Sequence, residues 1–331
     1  MWKRSKMKII ITGGAGFIGS HLAEYLTNKK HQIIVIDNLS TGRLENIKYF
    51  KKKVKFVNAD ISKKGKWMQN FEGTHVVFHF AALADIVPSI KNPTTYFQSN
   101  VVGTENIAST CVKYNVKKII YAASSSCYGI PKKYPTSENE SIKPQYPYAL
   151  TKNIGEQILM HYAKIYGVQV TSMRLFNVYG TRSRTSGTYG AMFGVFLAQK
   201  LKNKSLTVVG DGAQKRDFTY ISDVVLAFYK CINLKKNFQI FNVGTGKPIS
   251  INSIVKLLKC QSVNIPKRPG EPDETNANIG KIKKELNWHP KISIKNGINR
   301  LLKDINYWNN APVWTPKTIK IATKEWFEYL K

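Results

Sequence analysis

The chain has 331 residues, with 51 Lys+Arg against 20 Asp+Glu and a formal charge of +31. A hydrophobic fraction of 43% excludes wholesale disorder, and the length suggests roughly two domains, or one large α/β domain with a smaller partner. Taken alone the charge points to nucleic acid or an anionic surface, but the lysines are scattered in short runs, such as those at 51–53, 63–64 and 283–284. That scatter fits composition, and nucleic acid is not the expected partner; a phosphate-bearing small molecule is the mildest anionic one.

Cys111, Cys127, Cys231 and Cys260 lie far apart, with no CxxC pair and no Cys/His cluster at zinc spacing. Free thiols and no metal are expected. The apolar run Ile9–Ile11 stops at Thr12-Gly13-Gly14, too short for a signal sequence. No stretch reaches the ~20 apolar residues of a membrane span. The expectation is a soluble, cytoplasmic protein.

In chain order, Lys8–Thr12 reads as a strand ending in glycines and Phe17–Asn28 as an amphipathic helix. Strand patterns follow at Gln32–Asp37, Val54–Asn58, His75–Ala81, Lys118–Ala123 and Val168–Leu175. Thr94–Tyr114 and Pro147–Tyr166 read as long helices between them. Nearly all-apolar strands alternating with helices indicate an α/β fold with a doubly wound parallel sheet of the Rossmann type. The second half is less regular. Tyr189–Leu201 reads as helix, Leu206–Val209 as strand and 210–212 as a turn. Phe218–Ile221 and Gln239–Val243 read as strands that return to the main sheet. Helices are expected at Ile251–Leu258, Lys281–Leu286, Ile294–Trp308 and Thr318–Leu330, with Ser293 as an N-cap. We expect residues 1–180, with returning segments near 216–245, to form the Rossmann domain. Residues 181–215 and 246–331 would form a smaller mixed α/β lobe that binds substrate.

Gly13, Gly16 and Gly19 sit where the first strand becomes the first helix. Gly13 permits the tight turn, Gly16 lets backbone approach a pyrophosphate, and Gly19 lets helix and sheet pack closely. The helix N-terminus, at Phe17 and Ile18, offers unpaired N–H groups to phosphates. Asp37 ends the second strand, where a carboxylate accepts from an adenosine ribose and repels a 2′-phosphate, so NAD is favoured over NADP. Asn38 follows it. Asp60 and Ile61 lie after the third strand, near the adenine edge; for Asp60 a cap with Ser62 is the competing reading. Phe80, Ala81 and Ala82 end the fourth strand and leave room for a cofactor, and Asn100 lies on the next helix pattern.

Tyr148 and Lys152 stand four apart behind Pro147, on one helix face. A nearby cation favours phenolate, so Tyr148 could act as a base. Ser124, Ser125 and Ser126 follow a strand at its C-terminal end, the end that faces the ligand crevice. One of these hydroxyls would complete a Ser–Tyr–Lys proton relay.

With these motifs in order, the chain resembles the extended short-chain dehydrogenase/reductases, and among them the nucleotide-sugar epimerases such as UDP-galactose and UDP-N-acetylglucosamine 4-epimerases. The resemblance runs over nearly the whole chain: residues 12–20, Asp37-Asn38, the serine run before Tyr128-Gly129, Tyr148 with Lys152, residues 174–180, 210–212 leading to 216–218, and 268–271. It implies that NAD takes a hydride from C4 of a UDP-sugar and returns it to the other face. Tyr148 would remove the hydroxyl proton, and Lys152 would hold the nicotinamide ribose. It further implies Ser124 as the partner hydroxyl, with Ser125 still open, and Asn177, Arg216 and Arg268 as diphosphate contacts. Thr275 would line the sugar pocket, small enough to admit an N-acetyl group. Related 4,6-dehydratases and UDP-glucuronate decarboxylases carry an acid where this chain has Ser125 and Ser126, which argues against both. Asp85 argues against a uronate substrate, which leaves UDP-glucuronate 4-epimerisation as the alternative to the neutral hexoses. A non-catalytic nucleotide- or RNA-binding protein on the same fold is the competing class. The resemblance also implies a homodimer through the two long helices, with Ile154, Ile158 and Tyr162 on the outer face.

Overall fold

The computed structural model describes residues 6–183 and 191–330. The chain opens with β1 (Lys8–Thr12), α1 (Phe17–Asn28), β2 (Gln32–Asp37), β3 (Val54–Asn58) and β4 (Val76–His79). Next come α2 (Ile86–Lys91), α3 (Pro93–Phe97), a π-helical turn (Gln98–Val102) and α4 (Gly103–Lys113). β5 (Lys118–Ser124), α5 (Pro147–Tyr166) and β6 (Gln169–Leu175) complete the regular part. β11 (Gln239–Val243) returns much later beside β6. The seven strands form one parallel sheet in the order β11-β6-β5-β4-β1-β2-β3.

Successive strand residues face opposite sides, and here both sides are covered. Ile9, Ile11, Ile33, Val35, Phe78 and Ile120 feed one core, while Ile10, Ile34, Ile36, Val77, Ile119 and Tyr121 feed the other. This explains why the strands read as unbroken apolar runs. The expected Thr94–Tyr114 helix is α3 and α4 joined by the π-turn. Ile158 and Tyr162 of α5 pack against the second core and do not stand free on an outer face.

Between β6 and β11 the chain makes β7 (Asn177–Tyr179), α6 (Met192–Leu201), β8 (Leu206–Val209), β9 (Lys215–Arg216), β10 (Phe218–Tyr220) and α7 (Ile221–Lys230). The start of the expected Tyr189–Leu201 helix lies outside the described residues. Phe218–Tyr220 does not return to the main sheet. It pairs with β7, because β11 already occupies the sheet edge beside β6. Ile221 opens α7, which has no sequence punctuation in front of it. The chain ends with β12 (Ile249–Ser250), α8 (Ile251–Leu258), β13 (Ser262–Ile265), α9 (Gly280–Leu286), α10 (Ile294–Lys303), α11 (Pro316–Ala322) and α12 (Lys324–Tyr329). β13 pairs with β8, and β12 with β9. Ser293 caps α10 by accepting the Asn296 N–H at 3.3 Å. The expected final helix is two helices, because the chain leaves helical geometry at buried Thr323, whose hydroxyl turns back to the Ile319 carbonyl at 2.8 Å. Among the described residues no helix is long and apolar enough to cross a membrane.

Candidate active site

β1 and β4 are neighbours from which the strand order runs outward in both directions, and a crevice opens at such a switch point. A cavity of about 650 Å³ lies there, along the C-terminal ends of the strands. Every site residue expected from the sequence lines it except Asn100. Gly13 has φ +68°, and a Cβ there would sit 2.6 Å from the Ala81 nitrogen. A Cβ on Gly19 would collide with the Gly13 carbonyl. At Gly16 a Cβ would meet only the Gly13 oxygen, at 3.1 Å, within 4 Å. Gly16 is also the N-cap of α1 and has no side-chain cap. The result is a backbone cradle at a helix N-terminus, the form that receives a diphosphate.

Asp37 ends β2 almost fully buried. Its two oxygens accept from the Ala15 N–H (2.9 Å) and the Leu39 N–H (2.8 Å). Burial raises its pKa, and these backbone donors pull the other way. Asp60 lines the cavity, but one of its oxygens holds the Ser62 N–H and hydroxyl at 2.9 and 2.8 Å, so the turn reading accounts for half of its carboxylate. Asn100 does not reach the cavity. Its amide accepts from the Leu83 N–H (2.8 Å) and donates to the Leu83 carbonyl (2.9 Å) and the Thr151 hydroxyl (3.0 Å). It pins the loop after β4 to α5, and the π-turn brings it there.

Ser124, Tyr148 and Lys152 converge at the end of β5 and the start of α5. The Tyr148 phenol is pushed up by burial and drawn down by a hydrogen bond with Ser124. Lys152 is lowered to about 7 by burial, and the Glu156 carboxylate one turn on opposes this. The expected pull of Lys152 on Tyr148 is not what governs the phenol. Lys152 Nζ instead stands 4.0 Å over the centre of the Tyr121 ring, and desolvation dominates at both groups. Ser124 Oγ also lies 2.7 Å from Ser126 Oγ. Ser125 lines the cavity beside them.

The opposite end carries the cations. Asn177 Oδ1 accepts the Thr275 hydroxyl at 2.9 Å, which leaves its Nδ2 as the donor end. The Thr275 oxygen in turn accepts the Asp217 N–H at 3.0 Å. Arg216 and Arg268 flank one carboxylate, Glu271, at 3.6 and 3.0 Å. Asp217, fully buried, takes the N–H groups of Thr245, Gly246 and Ala277 at 2.6, 2.9 and 3.0 Å and fixes the strand that carries Arg216.

Several groups were not legible as site residues in the sequence. His79 is fully buried under the site, with Nδ1 2.7 Å from the Thr12 hydroxyl and Nε2 3.0 Å from that of Thr104; burial lowers it to about 3. Glu156 is locked by Arg174 at 2.6 Å and Ser172 at 2.5 Å. Tyr146 and Trp326 line the cavity. The spacing of Glu156, eight after Tyr148 on one helix face, was a usable signal. Trp326, near the far end of the chain, had none.

The profile of the NAD dependent epimerase/dehydratase family matches residues 9–244. A Methanocaldococcus jannaschii protein provisionally assigned as a UDP-glucose 4-epimerase is 38% identical over 91% of this chain and 98% of its own length. The structure of Thermotoga maritima UDP-glucose 4-epimerase with UDP-glucose matches at TM-score 0.85 and 32% identity, over 92% of this chain and 99% of that one. Bacillus cereus UDP-glucuronic acid 4-epimerase, with UDP-glucuronic acid and NAD, matches at TM-score 0.84 and 31% identity, over 91% and 99%. On fold, glycine cradle and these matches together, the chain belongs to the NAD-dependent epimerase/dehydratase family, among the UDP-sugar 4-epimerases of the extended short-chain dehydrogenase/reductase type.

Proposed function

We propose that the protein inverts C4 of a UDP-hexose, glucose/galactose or their N-acetyl counterparts, with Ser124, Tyr148 and Lys152 as the catalytic group. The observation that carries this is the convergence of those three side chains on the wall of the cavity that also holds the glycine cradle. NAD, bound along that cradle, supplies a hydride acceptor for C4 and the donor for its return. Gly13, Gly16 and the N-terminus of α1 receive the cofactor's diphosphate, Asp37 its adenosine ribose, and Lys152 its second ribose. Ser124 hydrogen-bonds the C4 oxygen and Tyr148, so Tyr148, as its phenolate, takes the hydroxyl proton when the 4-keto sugar forms and, as the phenol, gives it back afterwards. Asn177 Nδ2, Arg216 and Arg268 hold the substrate diphosphate while the sugar turns over, the arginines as forked donors.

We read residues 1–180 and 216–245 as the cofactor half and the rest as the substrate half. Asp85 in the cavity wall opposes a uronate carboxylate, and serines at 125 and 126 leave no acid for dehydration. Two copies pair through α3–α5, where Phe97, Leu150 and Ile165 are exposed. The test is incubation of purified protein with UDP-glucose, UDP-N-acetylglucosamine and UDP-glucuronate, followed by separation of epimers. Turnover of either of the first two supports the proposal. Turnover of UDP-glucuronate alone refutes the choice of sugar, and turnover of none refutes the activity. Tyr148→Phe is expected to keep NAD and to lose activity about 10²–10⁴-fold, the usual range for a general base.

A further inference from the structure

The substrate end of the cavity is closed by a segment that carries no motif. α12 folds back over it and places Trp326 in the wall, only 2% exposed. The indole N–H donates to the Pro269 carbonyl at 2.8 Å. The Arg268 guanidinium lies over the indole, 5.3 Å from the ring centre. The Tyr146 ring, at the N-cap of α5, is 6.2 Å away and tilted by 54°. The same helix reaches α2 through Glu325, 3.1 Å from Lys91 Nζ. One side chain thus ties the 268–271 loop to the start of α5, and its helix ties both to α2.

The loop needs such a tie. Residues 266–275 run without a helix or strand, and Gly270 sits at φ +72°. Arginine has a long stem with high rotamer entropy, and a stacked, planar guanidinium loses less of it on meeting a ligand. An aromatic face in a desolvated setting holds a guanidinium by cation–π attraction. Glu271 holds one edge of the same guanidinium, at 3.0 Å, while the indole lies against its face.

We propose that Trp326 is a positioning residue for the nucleotide sugar, acting through Arg268 to present a preformed donor to the substrate diphosphate. This rests on the reading of Arg268 as a diphosphate contact. The aromatic face is the working part, with the indole N–H anchoring the loop.

The test is calorimetric titration with UDP, which needs no turnover, alongside steady-state kinetics on whichever UDP-sugar the enzyme converts. Trp326→Leu keeps an apolar side chain but removes the aromatic face and the N–H. It is expected to weaken UDP binding and raise KM about tenfold, with kcat within about twofold. Trp326→Phe restores the face and should recover most of the loss. In an Arg268→Ala background, Trp326→Leu should have little further effect. Bound NAD, read by absorbance, and the melting temperature report whether each variant is folded. Unchanged UDP affinity in folded Trp326→Leu overturns the proposal, and so does an equal loss with and without Arg268. A fall in kcat at constant KM also overturns it. If the unaltered protein binds neither UDP nor a UDP-sugar, the underlying reading fails and this one with it.

Discussion

Burial governs the two groups to which the proposed chemistry gives the proton and the ribose, Tyr148 and Lys152, and it pushes them in opposite directions. The Tyr148 phenol is raised by burial, against the pull of its Ser124 hydrogen bond, while Lys152 is lowered to about 7. The unfolded chain keeps the lysine proton until about pH 10.4. Between these values the unfolded state binds more protons than the folded one, so stability rises with pH through that window. It is lost as pH falls toward 7, where folding must retain a buried cation. Lys152→Met removes this contribution. The unfolding free energy of the unaltered protein minus that of the variant is therefore expected to grow from pH 7 to pH 10. Denaturant titrations at three pH values check it, and a constant difference refutes the buried-lysine account. Asp37 makes a second prediction at this scale. In the proposed reading its carboxylate accepts from a ribose and repels a 2′-phosphate. Asp37→Ala is expected to shift the NAD-over-NADP preference roughly tenfold or more toward NADP, about the worth of a hydrogen bond to a charged group. Fluorescence titration of cofactor-free protein with each dinucleotide measures it.

Among the elements, α5 has the most to coordinate. It carries Tyr148 and Lys152 toward the cavity, and one turn further on it carries Glu156 into a buried network. Arg174 of β6 binds both Glu156 oxygens, at 2.6 and 3.1 Å, and reaches the Tyr128 hydroxyl at 2.9 Å. The Tyr128 hydroxyl itself donates to Oδ1 of Asn242 of β11 at 2.7 Å. The helix is therefore fixed to two strands by a charged pair whose side chains are 4% and 5% exposed. Removing one charge from such a pair leaves the other unpaired in a poorly hydrated site. Glu156→Gln is expected to cost about 3–5 kcal/mol of stability, read from chemical unfolding, and to lower Lys152 further by removing its one opposing carboxylate. If the variant unfolds like the unaltered protein, the network is not what fixes α5.

At the scale of the molecule, the surplus of +31 finds a local expression in Arg216 and Arg268 at the anion end of the cavity. A nucleotide sugar carries two negative charges, and a positive protein draws it in through a field that salt screens over roughly 8–10 Å. The second-order rate constant kcat/KM is expected to fall several-fold between low ionic strength and about 0.5 M salt, while kcat barely changes. A salt-independent kcat/KM would leave the surplus as composition alone. The exposed Phe97, Leu150 and Ile165 on α3 and α5 make a further prediction, a mass of two chains by light scattering.

The sequence by itself determined the parallel sheet, because strands buried on both faces must be apolar throughout and the helices between them must be amphipathic. It also determined the cofactor turn, because only glycine fits where backbone passes backbone, and it marked Tyr148 and Lys152, because four residues on a helix bring them to one face. Local periodicity carries all of these. It could not carry the fate of Asn100, whose amide is taken by the Leu83 loop, or the place of Phe218–Tyr220, decided by which strand already holds the sheet edge. Nor could it reveal His79 beneath the site, the Glu156–Arg174 lock, or Trp326 beside Arg268. Those depend on contacts between residues tens to hundreds of positions apart. Which polar group faces the cavity and which is consumed by its neighbours is settled only when the whole chain has packed.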